Sequence, residues 1–208
     1  MRSFYKNSLA TVSLFLLLAL IPISCDLVCT DSCGCGSKTQ ISDFKIISLE
    51  MLTVNTDGEE LNPEIPQPYK QILKTLKIKD IEIVSAIESS NFGLPGVAYA
   101  CSPIPPKSQE RLEDLKLFNL KEVELGDGTV LKPGDLLNDF FEINYFSASD
   151  TKPIQEFVSE NIIIYLDDYY KLSFIKDPGK EVVIEFSMQL IFENGRTISV
   201  NNEKLSIK

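Results

Sequence analysis

The stretch that decides the fold is residues 182–205, VVIEFSMQLIFENGRTISVNNEKL. Two apolar runs rich in β-branched residues, Val182–Phe192 and Arg196–Leu205, flank the tripeptide Glu193-Asn194-Gly195. Asn-Gly between two apolar runs is the strongest short-range signal for a β-hairpin, because both residues accept the positive φ angles of a tight turn. The stretch therefore predicts two antiparallel strands.

Further strand-like segments precede this hairpin, and turn residues separate them. They are residues 44–54, which end at the turn 55–58, and residues 78–87, 96–101, 112–125 with a break near Asn119, and 162–175. The three prolines of residues 63–68 exclude that stretch from an inner strand or a helix interior. About seven short strands punctuated by turns are typical of a β-sandwich.

Two short segments favour helix instead. Leu136–Ile143 follows Pro133-Gly134-Asp135, where Asp135 is a candidate N-cap, and Pro153–Ser159 carries proline at a first helical turn. Helices and strands do not alternate as they do in βαβ folds. The predicted fold class is thus all-β, an antiparallel β-sandwich of immunoglobulin-like architecture with one or two short helices.

Composition excludes several functions. The 208 residues contain 30 acidic and 20 basic side chains, a net charge of −10, and neither histidine nor tryptophan. Without histidine there is no Ser-His-Asp triad, Cys-His pair or His-ligated metal site. The acidic balance argues against nucleic acid, which is bound through Lys and Arg.

The first residues predict export. Arg2 and Lys6 precede an apolar run from about residue 9 to residue 21, which is short for a membrane span of about 20 residues and typical of a signal peptide. We predict a signal peptide over residues 1–24, a lipidated Cys/Gly-rich tail over residues 25–40 and a single β-sandwich domain over residues 41–208.

The segment Ile21-Pro22-Ile23-Ser24-Cys25 resembles a bacterial lipobox, with Pro22 at a position that usually holds Leu or Val. The resemblance implies cleavage before Cys25, lipidation of this cysteine and stable anchoring by its acyl chains. The expected location is a bacterial membrane, on the periplasmic or surface side of the outer membrane. A simple secretory cleavage has no better site nearby.

Four further cysteines could form two disulfides, since an even number in an exported chain favours pairing. They are Cys29, Cys33, Cys35 and Cys101. A bridge between Cys33 and Cys35 would be strained, which favours Cys101 bonded to one of the other three. The alternative, four thiolates on a structural metal, fits the spacing poorly, and no metal or cofactor is predicted.

Several elements together carry a resemblance to a family. They are the cysteine-rich tail, Tyr99-Ala100-Cys101-Ser102-Pro103, Leu131-Lys132-Pro133-Gly134-Asp135-Leu136-Leu137 and the Glu193-Asn194-Gly195-Arg196 turn. They resemble an uncharacterised family, a domain of unknown function, among the Cys-rich lipoproteins of the Bacteroidota. The resemblance implies a compartment and a fold but no activity.

Two acidic clusters are the candidate ligand or catalytic residues. Asp167-Asp168-Tyr169-Tyr170 could hold Ca²⁺ or a sugar, although an exposed strand end or turn explains it as well. Asp80 and Glu82 lie on one face of a predicted strand, where a glycosidase could place two carboxylates, although a solvated outer face is the simpler interpretation.

Two functions remain open. The favoured one is a membrane-anchored, non-enzymatic module that binds or scaffolds an unknown envelope protein or glycan, and an exposed aromatic patch would support it. The alternative is a carboxylate-dependent hydrolase or sugar-active protein. That alternative requires two carboxylates about 5–10 Å apart in a cleft, one of them with a raised pKa. No catalytic residue is assigned.

Overall fold

A computed structural model describes residues 39–88 and 105–208 of the chain. The chain divides into two units, residues 1–40 with 86–104 and residues 41–85 with 105–208, and the second unit holds the features below. The predicted signal peptide, the predicted strand 96–101 and all five cysteines lie outside the described residues. These cysteines are Cys25, Cys29, Cys33, Cys35 and Cys101.

The described residues form eleven strands, a 3₁₀ turn and one short helix. In chain order they are β1 (Thr39–Asn55), β2 (Ile72–Glu88), β3 (Lys107–Ser108), β4 (Leu112–Asn119), β5 (Val123–Glu124), β6 (Val130–Leu131), the 3₁₀ turn Asn138–Phe140, β7 (Phe141–Tyr145), β8 (Lys152–Pro153), α1 (Ile154–Ser159), β9 (Tyr169–Phe174), β10 (Val182–Phe192) and β11 (Thr197–Ile207).

Nine of these strands belong to two sheets. The six-stranded sheet has the order β3-β1-β2-β9-β7-β8, and the three-stranded sheet has the order β11-β10-β4. Strands β5 and β6 form a separate two-stranded sheet. The pairings of β2 with β9, β9 with β7 and β10 with both of its neighbours are antiparallel, whereas β1 and β3 pair in parallel over two residues.

The two large sheets pack face to face over a shared apolar core. Along β10 the buried side chains alternate, with Ile184 and Phe186 fully enclosed. The Phe186 ring lies 5.5 Å from the ring of Phe141 on β7, so the contact joins one sheet to the other. This arrangement confirms the predicted all-β sandwich, whose inner faces interdigitate to form the core.

The C-terminal hairpin is confirmed, and its turn lies where the sequence places it. Gly195 has a φ of +79°, and its N–H donates to the Phe192 carbonyl. The Asn194 and Arg196 side chains both donate hydrogen bonds to the carboxylate of Glu110. These bonds, chiefly the one from Arg196, stabilise the ionised carboxylate and hold the pKa of Glu110 below its usual range.

The helix predicted over Leu136–Ile143 is wrong. Only the 3₁₀ turn Asn138–Phe140 forms there, followed by β7. The reason is Asn138, whose buried side chain accepts a hydrogen bond from the Leu117 N–H at 2.9 Å and donates to the Leu115 carbonyl at 2.7 Å. The side chain thus pairs with β4 as a strand backbone would.

The second helix prediction is confirmed, because α1 occupies Ile154–Ser159 directly after Pro153. Strand 162–175 is shorter than predicted, since only its C-terminal part, β9, is a strand. The preceding residues turn because the Asp168 carboxylate accepts the Tyr165 N–H at 2.7 Å. The predicted break near Asn119 is confirmed by the end of β4.

Candidate interaction edge

Irregular chain pairs with part of each edge of the three-stranded sheet, at the C-terminal end of β11 and beside the second half of β4. Beside β11, Gln67 donates its N–H to the Ser206 carbonyl at 3.1 Å, and its own carbonyl accepts the Lys208 N–H at 3.0 Å. Beside β4, the Leu137 N–H donates to the Leu117 carbonyl at 2.8 Å. The proline-rich stretch, which the sequence excluded from an inner strand, therefore serves as an edge cover.

Within the described part of the chain, the six-stranded sheet contains a strand edge for which no such cover is seen. Strand β2 has 17 residues, but β9 pairs with it only from Lys74 to Lys77. Among residues 39–88 and 105–208, no strand pairs with Ile78–Ser85 on that side. We call these eight residues the β2 edge, and at about 3.3 Å per residue they extend for about 26 Å.

Strand β1 lies on the other side of the β2 edge. The Ser48 hydroxyl donates to the Asp80 carboxylate at 2.5 Å, and the Ser85 hydroxyl donates to the Asp43 carboxylate at 2.7 Å. From the first contact to the second, the residue number falls by five on β1 and rises by five on β2. They indicate an antiparallel register in which Ile47 lies opposite Ile81.

One face of the β2 edge carries Ile81 and Ile83 at its middle, with Lys79 before them and Ser85 after them. Because side chains alternate between the faces of a strand, Ile81 and Ile83 point to the same side. Ile83 is 54% exposed, and Ile47 on the neighbouring strand is 50% exposed. Ile81 packs partly against the core. Three isoleucines thus form an apolar strip that continues from the core to the surface.

The other face of the β2 edge is acidic. Asp80 and Glu82 are exposed there, and Val84 follows them with 41% of its surface exposed. Asp80 accepts the hydrogen bond from Ser48, which is the contact that fixes its orientation. Over Asp80–Ile83 the edge therefore presents isoleucine to one side and carboxylate to the other, with Lys79 also on the isoleucine side.

The cluster Asp167-Asp168-Tyr169-Tyr170 is a turn and a packing site. The Asp168 carboxylate accepts hydrogen bonds from the Tyr165 N–H and, at 2.8 Å, from the Tyr170 hydroxyl. Burial, followed by the nearby Asp168 charge, raises the pKa of Tyr170 well above its usual range, so this hydroxyl remains a donor. Tyr169 donates to the Thr75 hydroxyl at 3.0 Å, and Asp167 is exposed.

The aromatic rings near this cluster pack with each other. Tyr170 lies 5.1 Å from Tyr145 and 5.7 Å from Phe157 between ring centroids, and Tyr169 lies 4.9 Å from Phe146. Edge and tilted contacts of this kind stabilise the fold rather than present rings to a ligand. The structure thus favours the turn interpretation of these four residues.

Shallow depressions on the surface of the described residues include two with polar and charged linings. The larger, of about 610 Å³, is lined by three lysines together with Asp177 and Glu181, and the smaller, of about 410 Å³, lies around Phe146 and Lys171. The mixture of charges in the larger one favours neither an anion nor a cation. Among the described residues no group of three acidic, histidine or cysteine side chains could hold a metal ion.

Sequence reasoning predicted the strand 78–87 and noted Asp80 and Glu82, but it did not identify the edge. The available signal was the run IKDIEIVS, in which isoleucine alternates with charge. The sequence does not indicate that the pairing of β2 with β9 ends at Lys77, because this end depends on where β9 begins. Within the described part of the chain, no helix is long and apolar enough to span a membrane.

No protein-family model and no curated protein matches this chain. Solved structures with a similar chain path include the C-terminal domain of the antigen I/II-family protein AspA of Streptococcus pyogenes, with 12% identity, a TM-score of 0.27 and 77% of the present chain covered. The C-terminal domain of the Streptococcus agalactiae AgI/II polypeptide BspA is similar with 14% identity, a TM-score of 0.28 and the same 77%. The chain spans 46% and 49% of these two solved chains, about half of each.

Proposed function

We propose that this chain is a non-enzymatic binding module of the bacterial cell envelope, which engages a partner protein through the β2 edge. The observation that supports the proposal is the contrast between edges. Irregular chain pairs with the C-terminal end of β11 and with β4 near Leu117, whereas Ile78–Ser85 has no paired strand among the described residues. Unpaired strand edges with exposed isoleucine are templates for pairing with another chain.

The apolar strip strengthens the proposal. Ile47 and Ile83 each keep about half of their surface in water, with values of 50% and 54%. A ribbon of two strands is marginal in water without a third strand or a packed face. A partner that covered this strip would remove apolar surface from water at roughly 25 cal/mol per Å².

The hydrolase alternative finds no matching support among the described carboxylates. Glu110 and Asp127 both have a lowered pKa, mainly because of hydrogen bonds from Arg196 and from Lys176. A general acid requires the opposite shift. Asp80 and Glu82, the pair that the sequence suggested, lie on an exposed strand face and not in either depression.

Placement in the envelope rests on the sequence. The proposal includes export by residues 1–24, lipidation of Cys25 and attachment to a membrane through acyl chains, as the lipobox-like segment implies. Pairing of Cys101 with one of Cys29, Cys33 and Cys35 is part of the same proposal.

Intact mass of the membrane-extracted protein tests this placement. We expect a chain that starts at an acylated Cys25 and in which four cysteines react with an alkylating reagent only after reduction. An unlipidated chain with freely reactive thiols would exclude the envelope placement.

Site-specific photo-crosslinking in cells tests the binding role. A benzophenone amino acid replaces Ile83 in one variant and Val183 in a matched control, since Val183 is a β-branched residue of the other sheet with 40% exposure. We expect adducts with another protein at position 83 and few at position 183. Equal adducts at both positions, or none at position 83, would contradict the proposal.

A further inference from the structure

We propose that the partner contributes an extended strand in which apolar and basic side chains alternate. This inference rests on the proposed function and specifies the chemistry of the partner. Two features of the β2 edge carry it, namely its backbone and the different character of its two faces.

The backbone supplies the general affinity. In an antiparallel or parallel ladder, every second residue of a strand directs its N–H and C=O towards one neighbour and the intervening residues direct theirs to the other. Over Ile78–Ser85, one set pairs with β1 and the other set has no paired strand among the described residues. An added strand could therefore form a ladder of several hydrogen bonds.

The side chains supply the selectivity. A residue of the added strand that lies opposite Glu82 or Asp80 faces a carboxylate, and opposite charges across a ladder stabilise the pairing. The next residue along that strand lies on the other face, beside Ile81 or Ile83. The strand that satisfies both faces alternates Lys or Arg with an apolar residue over at least four positions.

A second copy of the same chain fits less well. Two copies of β2 that pair in antiparallel orientation about a twofold axis normal to the sheet bring the same faces together. With the axis at Ile81, Asp80 lies opposite Glu82, and with the axis at Glu82 this residue lies opposite itself. An axis at Ile83 avoids both contacts but places Val84, not a basic residue, opposite Glu82. Like charges directly opposite each other destabilise a ladder. The net charge of −10 adds a further repulsion.

Short peptides of defined pattern test the inference with the full-length chain. The probe is a fluorescent peptide of the sequence KVKVKVKV, compared with EVEVEVEV and with KKKKVVVV, and the readout is the dissociation constant. We expect the alternating basic peptide to bind at least about fivefold more tightly than each of the other two, because only it satisfies both faces. Similar affinity for KVKVKVKV and KKKKVVVV would overturn the inference, since charge alone would then explain the binding.

Two charge variants locate the contact. Glu82→Lys reverses a charge on the β2 edge, and Glu113→Lys makes the same change on an exposed position of β4. We expect Glu82→Lys to weaken KVKVKVKV binding by about fivefold or more, with little change for Glu113→Lys. Equal losses in the two variants would show attraction to the net charge and would overturn the assignment.

Hydrogen exchange in the absence of peptide tests the other occupants. We expect the outward-directed amides of Ile78–Ser85 to exchange quickly in the monomer and slowly when KVKVKVKV is bound. Slow exchange that requires high protein concentration would identify a second copy, and slow exchange in the dilute monomer would identify another segment of this chain. Either result overturns the inference. If photo-adducts form at position 83 but none of the peptides binds, the binding role stands and only the partner chemistry is wrong.

Discussion

The hairpin β10–β11 and the paired strands β1 and β2 are both long antiparallel ribbons, but they differ in what lies beside them. Strand β10 has β11 on one side and β4 on the other, and the C-terminal end of β11 pairs with the chain around Gln67. Strand β2 has β1 along its length but loses β9 after Lys77. In the first ribbon β10 is the central strand and β11 is the edge strand, whereas among the described residues β2 has no paired strand on its β9 side beyond Lys77.

The difference also appears in the regularity of the strands. The β10–β11 ladder contains an irregularity between Phe186 and Met188, and Asn202 on β11 has a φ of +59°. Bulges of this kind twist an edge and block further pairing. Strand β11 is therefore protected twice, by its own backbone and by the proline-rich cover. The comparison teaches that, among the described residues, Ile78–Ser85 lacks the kind of cover that holds the C-terminal end of β11.

The largest expected loss of stability concerns the core of the β10–β11 ribbon. Phe186→Ala removes a fully buried ring that contacts Phe141 across the two sheets at 5.5 Å. We expect the free energy of unfolding to fall by about 3–5 kcal/mol, because the ring leaves a cavity in the shared core. Urea denaturation followed by circular dichroism measures the change. A loss below about 1 kcal/mol would show that the sheets do not share one core.

A smaller loss of unfolding free energy is expected when the ion pair between β2 and β11 is broken. Lys74 of β2 forms an ion pair with Glu203 of β11 at 2.7 Å, with side-chain exposures of 3% and 17%. Burial lowers the pKa of Lys74 more than Glu203 raises it. Glu203→Gln leaves the buried ammonium without a counter-charge, and we expect a loss of about 2–4 kcal/mol near neutral pH.

The pH dependence distinguishes this loss from a packing defect. A lysine whose pKa is lowered in the folded state binds fewer protons there, so its contribution to stability improves as the pH rises from that lowered pKa towards 10.5. The loss of unfolding free energy caused by Glu203→Gln should therefore become smaller at alkaline pH. The control is Glu185→Gln, which breaks an exposed pair with Lys121 at 3.5 Å and should cost less than about 1 kcal/mol.

These contrasts also show what the sequence could predict. The hairpin at Asn194-Gly195 and the helix after Pro153 follow from local chemistry, because turn and cap preferences depend on a few adjacent residues. The segment 136–143 was mispredicted because Asn138 bonds to β4, more than 20 residues away, and a local pattern carries no such information.

The candidate site was less accessible than the fold. Val182–Phe192 and Ile78–Ile87 both alternate apolar with polar residues, and the alternation is equally good evidence for a strand in each. Whether a strand has one neighbour or two depends on the lengths and registers of other strands. For the tyrosine–aspartate cluster the sequence left a turn and a ligand site open, and the structure shows that the Asp168 carboxylate accepts hydrogen bonds within its own turn.

The cover on β11 gives a finer test of the comparison. The buried hydroxyl of Ser206 donates to the Pro63 carbonyl at 2.5 Å, which ties the proline-rich stretch to the strand. Ser206→Ala should cost about 1 kcal/mol and should speed hydrogen exchange at the Gln67 amide, which donates to the Ser206 carbonyl. Ser199→Ala, at an exposed position of the same strand, is the control. Unchanged exchange at Gln67 would mean that the backbone bonds alone hold the cover in place.

The smallest effect on stability is expected at the β2 edge itself, and that is where the comparison is sharpest. Ile83→Thr keeps the β-branched shape but removes apolar surface from a side chain that is 54% exposed. We expect the free energy of unfolding to change by less than about 0.5 kcal/mol, as for Val183→Thr on β10. Photo-crosslinking from a benzophenone at position 47 should nevertheless weaken in Ile83→Thr and persist in Val183→Thr, because only the first variant alters the apolar strip. If Ile83→Thr instead destabilises the chain by 2 kcal/mol or more, this side chain is part of a packed core, and the edge is structurally equivalent to the covered ones.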